Sequence, residues 1–307
     1  AFADVNGDQW LDLLVTGAGE GVLSLYYNDR NGSLEAPERT PALRSAVGLA
    51  VADIDGDGVA EAFVGADELD GGSIAQLSSF ALEPMPVKYP MLHGRGLALG
   101  DLNGDGLEDA FTWGAGGIST RFGDGDGGFG ALVQQGNVPA DTRTAELADI
   151  DGDGDLDFIV GQGAPTFGIA VSRNDGQGGF APPDVYPLLG KPAWIEVGDL
   201  NGDGLPEVVS APWPASDVEL LWNSGGTLGN PAVFPIGGNR ASAAIGDLDQ
   251  DGLADLVITH VTSSFTAIFR VAYGLPGGAL AAPAFLSSQI EFTSVNSAVR
   301  LADVDQD

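Results

Sequence analysis

The residues with obvious chemical capacity are aspartates at fixed spacing. A nine-residue pattern, Asp-x-Asp/Asn-x-Asp-x-x-x-Asp/Glu, recurs along the chain. It supplies Asp4, Asn6, Asp8 and Asp12, then Asp53, Asp55, Asp57 and Glu61, then Asp101, Asn103, Asp105 and Asp109. Later copies supply Asp149, Asp151, Asp153 and Asp157, then Asp199, Asn201, Asp203 and Glu207, then Asp247, Asp249, Asp251 and Asp255. A seventh copy, cut short, holds Asp303, Asp305 and Asp307. Carboxylates this crowded repel one another, and a hard dication removes that cost. Calcium takes about six to eight oxygen ligands at flexible geometry. Side chains at positions 1, 3, 5 and 9 suit it. So do the position-7 carbonyls of Trp10, Val59, Leu107, Asp155, Leu205 and Leu253. Magnesium fits less well because it keeps several waters. The expectation is about six structural calcium ions, one per complete loop.

The charge balance agrees. Asp and Glu number 44 against 12 Lys and Arg, a net charge of −32, and 24 of the acids lie in these loops. So acidic a chain repels phosphate backbones, which argues against nucleic-acid partners. Cysteine is absent, which excludes disulfides and thiolate chemistry, and His93 and His260 are too few for His-rich zinc sites. No apolar run is long enough to span a membrane. With 44% hydrophobic and only 18% charged residues, a packed core is expected.

The elements that position the loops repeat with them. Successive first aspartates are 49, 48, 48, 50, 48 and 56 residues apart. An alternating segment such as VGLAVAD or WIEVGD precedes each loop, and a short apolar run such as AFVGAD or FIVGQG follows. Glycine-rich turns such as RFGDGDGGF and RNDGQGGF then join two further strands. Four antiparallel strands per unit match a propeller blade. The fold expected is all-β: residues 1–307 form a single β-propeller segment of four-stranded antiparallel blades, seven-bladed when complete. Its units start near Asp4, Asp53, Asp101, Asp149, Asp199, Asp247 and Asp303. The sequence starts and stops inside a loop, so a longer chain is expected.

These loops, with Gly163-Ala164-Pro165 after one of them, resemble the FG-GAP repeats of integrin α-subunit propellers. Units such as GDLNGDGLPEVV with RNDGQGGFAPP also resemble bacterial VCBS-type repeats. The resemblance implies calcium in the hairpin between the first two strands of each blade. It also implies a secreted or cell-surface setting and roles in adhesion or carbohydrate binding. Gln9, Gln250 and Gln306 depart from the pattern by replacing glycines, so the first loop is expected to be strained and weaker. Asn6, Asn103 and Asn201 each remove one charge from their loops.

A ligand site is less legible. Arg44, Arg95, Arg143, Lys191 and Arg240 precede five consecutive loops, where the chain enters the innermost strand. They form either a cationic collar for an anionic ligand or a set of local ion pairs. Trp194, Glu146 and Glu196 interrupt the small residues of the innermost strands. They serve either a sugar subsite or packing between blades. Trp113, Trp213 and Trp222 read as core or loop anchors. No G-x-S-x-G elbow exists, and an enzyme is not expected. A lyase using His93 with Arg95 or Lys191 is the alternative. The function expected is a calcium-stabilised extracellular recognition or adhesion module that binds a glycan or a protein. Two alternatives stand beside it: a lectin-like domain of a polysaccharide-degrading enzyme, and a spacer in a large surface protein.

Overall fold

The computed structural model describes residues 1–307 except 18–20, 32, 43–45, 57, 59, 67–71, 78–86, 92–94, 115–116, 137–141, 164, 214–216, 237–238, 262–265, 292–300 and 303–307. These residues fall into two compact units. The first comprises Ala1–Asp141, Gly176–Gly179 and Ala302–Asp307; the second comprises Thr142–Asp175 and Phe180–Leu301.

Each complete copy of the repeat folds into one four-stranded antiparallel sheet of the β-propeller type, its strands in chain order. Blade 1 holds Phe2–Ala3, Asp12–Gly17, Val22–Tyr26 and Glu38–Pro41. Blade 2 holds Ala46–Ala52, Glu61–Ala66, Gly72–Leu77 and Val87–Met91, and blade 3 holds Gly96–Gly100, Asp109–Gly114, Gly117–Arg121 and Val133–Gln135. Blade 4 holds Thr142–Ala148, Asp157–Gln162, Gly168–Ser172 and Asp184–Pro187. Blade 5 holds Lys191–Gly198, Glu207–Trp213, Asp217–Leu221 and Ala232–Pro235. Blade 6 holds Asn239–Gly246, Asp255–Val261, Thr266–Ala272 and Ala284–Glu291, with a small ribbon, Gly274–Leu275 and Ala279–Leu280, before its last strand. The described residues thus form six four-stranded sheets, one for each complete copy, and not the seven expected of the complete ring. Residues 303–307 of the partial seventh copy lie outside the described residues. Its described Leu301 packs beside Ala244, Val257 and Val271 of blade 6.

A sheet four strands wide cannot bury both faces by itself, so neighbours cover them. In the first unit, Val5, Leu14, Leu23 and Leu25 of blade 1 pack on Ala62, Val64 and Ala66 of blade 2. Ile54 and Phe63 of blade 2 pack on Leu97, Ala110 and Phe129 of blade 3. The second unit repeats this arrangement. Ile150, Ile159 and Val171 of blade 4 meet Ile195, Val208 and Leu221 of blade 5, and Leu200, Val209 and Leu220 of blade 5 meet Leu256 and Ile258 of blade 6. Burying one such side chain is worth about 1.5–3 kcal/mol. The small residues of the innermost strands follow from close approach: a Cβ at Gly48 would stand 2.8 Å from the backbone nitrogen of Leu97 in the next blade.

The acidic loops sit between the first and second strands of all six blades, as expected. Position 2 of each loop is apolar. Val5, Ile54, Leu102, Ile150 and Leu200 are buried, which roots the loops in the core. In blades 3, 5 and 6 the turn after the third strand lies against position 3 of the preceding blade's loop. A Cβ at Gly127 would meet Asp55, one at Gly226 would meet Asp151, and one at Gly278 would meet Asn201. Asn223 reinforces this in the second unit, donating from Nδ2 to the Ile150 carbonyl at 2.7 Å. Left-handed backbone at a residue with a side chain occurs at Gln9, Arg30 and Gln250. It costs about 1–2 kcal/mol at each, which bears out the strain expected of the first loop.

Gly226 has φ +81° and a virtual Cβ only 2.5 Å from the Asp151 Cβ, whereas neighbouring Gly225, at φ +59°, has nothing within 4 Å. Urea unfolding should therefore show Gly226→Ala losing about 2–4 kcal/mol, from strain plus overpacking. Gly225→Ala should lose about 1 kcal/mol, from backbone strain alone. Equal losses would contradict the proposed contact between turn and loop.

Candidate metal centres

The first aspartate of each loop organises it from inside. Asp149 Oδ1 accepts the N–H groups of Gly152 and Asp153 at 2.7 and 3.1 Å, and its Oδ2 accepts that of Gly154 at 2.8 Å. Asp4, Asp53, Asp101, Asp199 and Asp247 hold the N–H of position 6 in the same way. Position 5 repeats the device one step on: Asp8, Asp105, Asp153, Asp203 and Asp251 accept the N–H of position 7. The loops are thus pre-shaped by their own carboxylates.

The closing acid does more than its sequence position suggests. Asp12, Glu61, Asp109, Asp157, Glu207 and Asp255 each begin a second strand and are at most 2% exposed. In all six, one carboxylate oxygen accepts the N–H of position 2 at 2.8–3.3 Å. Among the described turns after the third strand, the other oxygen accepts an N–H from Asn28, Gly123, Asn174, Asn223 or Gly274. This residue is a clasp between loop, strand and outer turn. Burial pushes Asp109 and Asp157 up to about 6 against the pull of these N–H groups, with the nearby loop aspartates adding to the rise. Burial likewise raises Asp12 and Glu207.

Among the described residues, three loops gather carboxylates tightly enough to share an ion. Ligand oxygens of Asp53, Asp55 and Glu61 lie within 4.8 Å of one another, as do those of Asp149, Asp151 and Asp157, and those of Asp247, Asp249 and Asp251. Oxygens bound to one calcium at 2.3–2.6 Å stand no more than about 5 Å apart, so these groups fit. In loop 4, Asp151 Oδ1 is buried without a hydrogen-bond partner, an acceptor the protein itself leaves unmet. Its Oδ2 is held by Arg173 Nε at 2.9 Å. In the asparagine-bearing loops the amide partly replaces the cation. Asn103 Nδ2 donates to Asp105 at 3.0 Å, and Asn201 Nδ2 donates to Glu207 at 2.8 Å. Loop 1 fits a dication least well. Gln9 sits in left-handed backbone, and Arg30 already lies on Asp8 at 3.2 Å. Sequence reading missed these arginines, because nothing in the loop spacing announces a guanidinium from the outer turn.

The other expected site residues fall in both units. Arg95 is half-buried in the first unit. Arg143, Lys191, Trp194, Glu146 and Glu196 lie on the first strands of blades 4 and 5 in the second unit. Arg143 is exposed where the register of its strand shifts, and Trp194 is half-buried opposite Ala211. His260 is buried, and burial with the nearby Arg270 holds its imidazole below the usual range. Arg44, Asp57, Val59, His93, Asp303, Asp305 and Asp307 lie outside the described residues, as do the side chains of Arg240 and Trp213.

A family model described as an FG-GAP-like repeat matches residues 4–64, 101–160, 149–210 and 199–258. The chain belongs to this FG-GAP-like repeat family. Among solved structures, an Agrocybe aegerita lectin that recognises non-reducing terminal N-acetylglucosamine is similar at TM-score 0.66 and 19% identity, over 93% of this chain and 79% of its own. BBS1N, solved in complex with ARL6DN, is similar at TM-score 0.62 and 12% identity, over 94% of this chain and 81% of its own. A functionally unknown protein from Desulfotomaculum acetoxidans is similar at TM-score 0.59 and 17% identity, over 92% and 90%. At these identities the likeness is one of fold. No curated protein matches the sequence.

The raised closing acids set a pH dependence. A carboxyl near 3.8 in the unfolded chain and about 6 in the fold binds its proton more tightly when folded. The stability it contributes is fully present below about pH 4 and is lost as pH rises through about 6. In excess chelator the melting temperature should therefore fall between about pH 5 and about pH 7, and calcium should flatten or reverse that fall. A chelated protein that melts higher at neutral pH would contradict the assignment.

Proposed function

We propose that the chain is an extracellular recognition module whose propeller blades are stiffened by calcium and which binds a glycan. The observation that carries the metal half is the set of three carboxylate groups with ligand atoms within 4.8 Å, in a chain of net charge −32. The glycan half is supported by the likeness of fold to a lectin over 93% of the chain. The calcium acts structurally: it binds the native loops and not the unfolded chain, and so shifts the folding equilibrium. Asp, Asn and carbonyl oxygens favour it over magnesium.

Chelation with EGTA should lower the melting temperature by about 10 °C or more, which calcium restores and magnesium restores poorly. On a glycan array the calcium-loaded protein should bind without turnover. Release of unsaturated sugars absorbing in the ultraviolet would instead identify a lyase. Absence of any glycan binding would leave a spacer or a protein-binding role.

A further inference from the structure

Blade 1 breaks the repeat in two places. In blades 3, 4 and 5 the outer turn places glycine in left-handed backbone two residues after Gly123, Asn174 and Asn223, namely Gly125, Gly176 and Gly225. At the matching position, two residues after Asn28, blade 1 carries Arg30 at φ 63°. Loops 2 to 6 likewise hold glycine at position 6, where loop 1 has Gln9 at φ 70°. Backbone strain of this kind gathers at functional positions, because a glycine would relieve it.

The strained turn fixes Arg30 in one place. Its Nε and Nη2 each donate to Asp8 Oδ2 at 3.2 Å, and Asp8 Oδ1 accepts the Trp10 N–H at 3.0 Å. Asp29 Oδ1 meanwhile accepts the N–H groups of Asn31 and Ser33, which holds the turn's shape. Arg30 stays 61% exposed beside a cavity of about 430 Å³, lined also by Asn6, Tyr27, Asp29 and Glu35. That volume is within the range of small-ligand sites, about 300–1,000 Å³. Asp8, Asp29 and Glu35 outnumber the one arginine, so an anion is repelled. What remains is a guanidinium fork, carboxylate acceptors and a tyrosine with an apolar body and a polar tip. This set pairs with the neighbouring hydroxyls and the C–H face of a sugar ring.

We infer that this groove is a neutral-saccharide subsite with Arg30 as its anchor. The inference rests on the glycan reading above and goes further by naming the place, the residues and the charge class. Asp8 serves here to hold Arg30 rather than to bind metal.

The test compares the whole chain with its Arg30→Gly and Glu35→Gln variants in calcium buffer. Calorimetry with neutral oligosaccharides ending in N-acetylglucosamine, galactose or mannose gives affinity, and thermal melting gives stability. Arg30→Gly restores the residue used by blades 3, 4 and 5. It should therefore melt at or above the wild type while losing at least about tenfold in affinity for the sugar that the wild type binds. Glu35 is exposed, and Glu35→Gln should weaken binding with an unchanged melt. If the wild type binds a neutral sugar and Arg30→Gly binds it equally, the groove is refuted while the glycan reading stands. If Arg30→Gly melts well below the wild type, Arg30 is a structural cation and the subsite is refuted. If the wild type binds no neutral sugar but binds other glycans on the array, the subsite alone is refuted; if it binds no glycan at all, both readings fall.

Discussion

Each blade depends on one buried carboxylate. It begins the second strand, has almost no access to water and spends one oxygen on the backbone of its own loop. In five blades the other oxygen holds the backbone of the outer turn. Taking a carboxylate out of water is expensive, and two backbone donors only partly offset it, which is why Asp109 and Asp157 rise to about 6. That arrangement makes the loop a fixed object. Among the described residues, three loops bring three carboxylates within one ion's reach, and in loops 2 and 4 the clasp residue is one of the three.

The clasp also links chemistry to packing. Position 2, whose N–H it holds, is buried in blades 1 to 5, and in blade 6 the matching Leu248 is exposed. The outer turn that it holds in one blade presses on the loop of the blade before, as Gly226 does on Asp151. An ion in a loop is therefore felt by two sheets.

Much of this was legible in the residues. The period near 48 residues marked every sheet, and each loop lies where the Asp pattern put it. What the pattern could not show was pairing across a blade. Asp12 and Asn28, or Glu207 and Asn223, are 16 residues apart, with strand and turn between them. The recurrence of Asn28, Asn174 and Asn223 at one place in the repeat was the available signal. The clasp role of the closing acids was hidden because a metal ligand and a backbone acceptor both require an oxygen; Glu61 and Asp157 lie in carboxylate groups close enough for the first role and make the hydrogen bonds of the second. Arg30 and Arg173 escaped notice because a guanidinium reaches its carboxylate through space, at no fixed spacing. Six complete copies give six four-stranded sheets among the described residues, and the seven blades expected of a complete ring are not seen in them.

The central claim is that crowded loop carboxylates hold dications on a scaffold set by the buried clasp. Anomalous diffraction from crystals grown in calcium tests it most directly. The account predicts peaks in loops 2, 4 and 6 about 2.3–2.6 Å from carboxylate oxygens, with Asp151 among the ligands and loop 1 weakest. Empty loops at saturating calcium, with the same carboxylates turned to solvent, would contradict it.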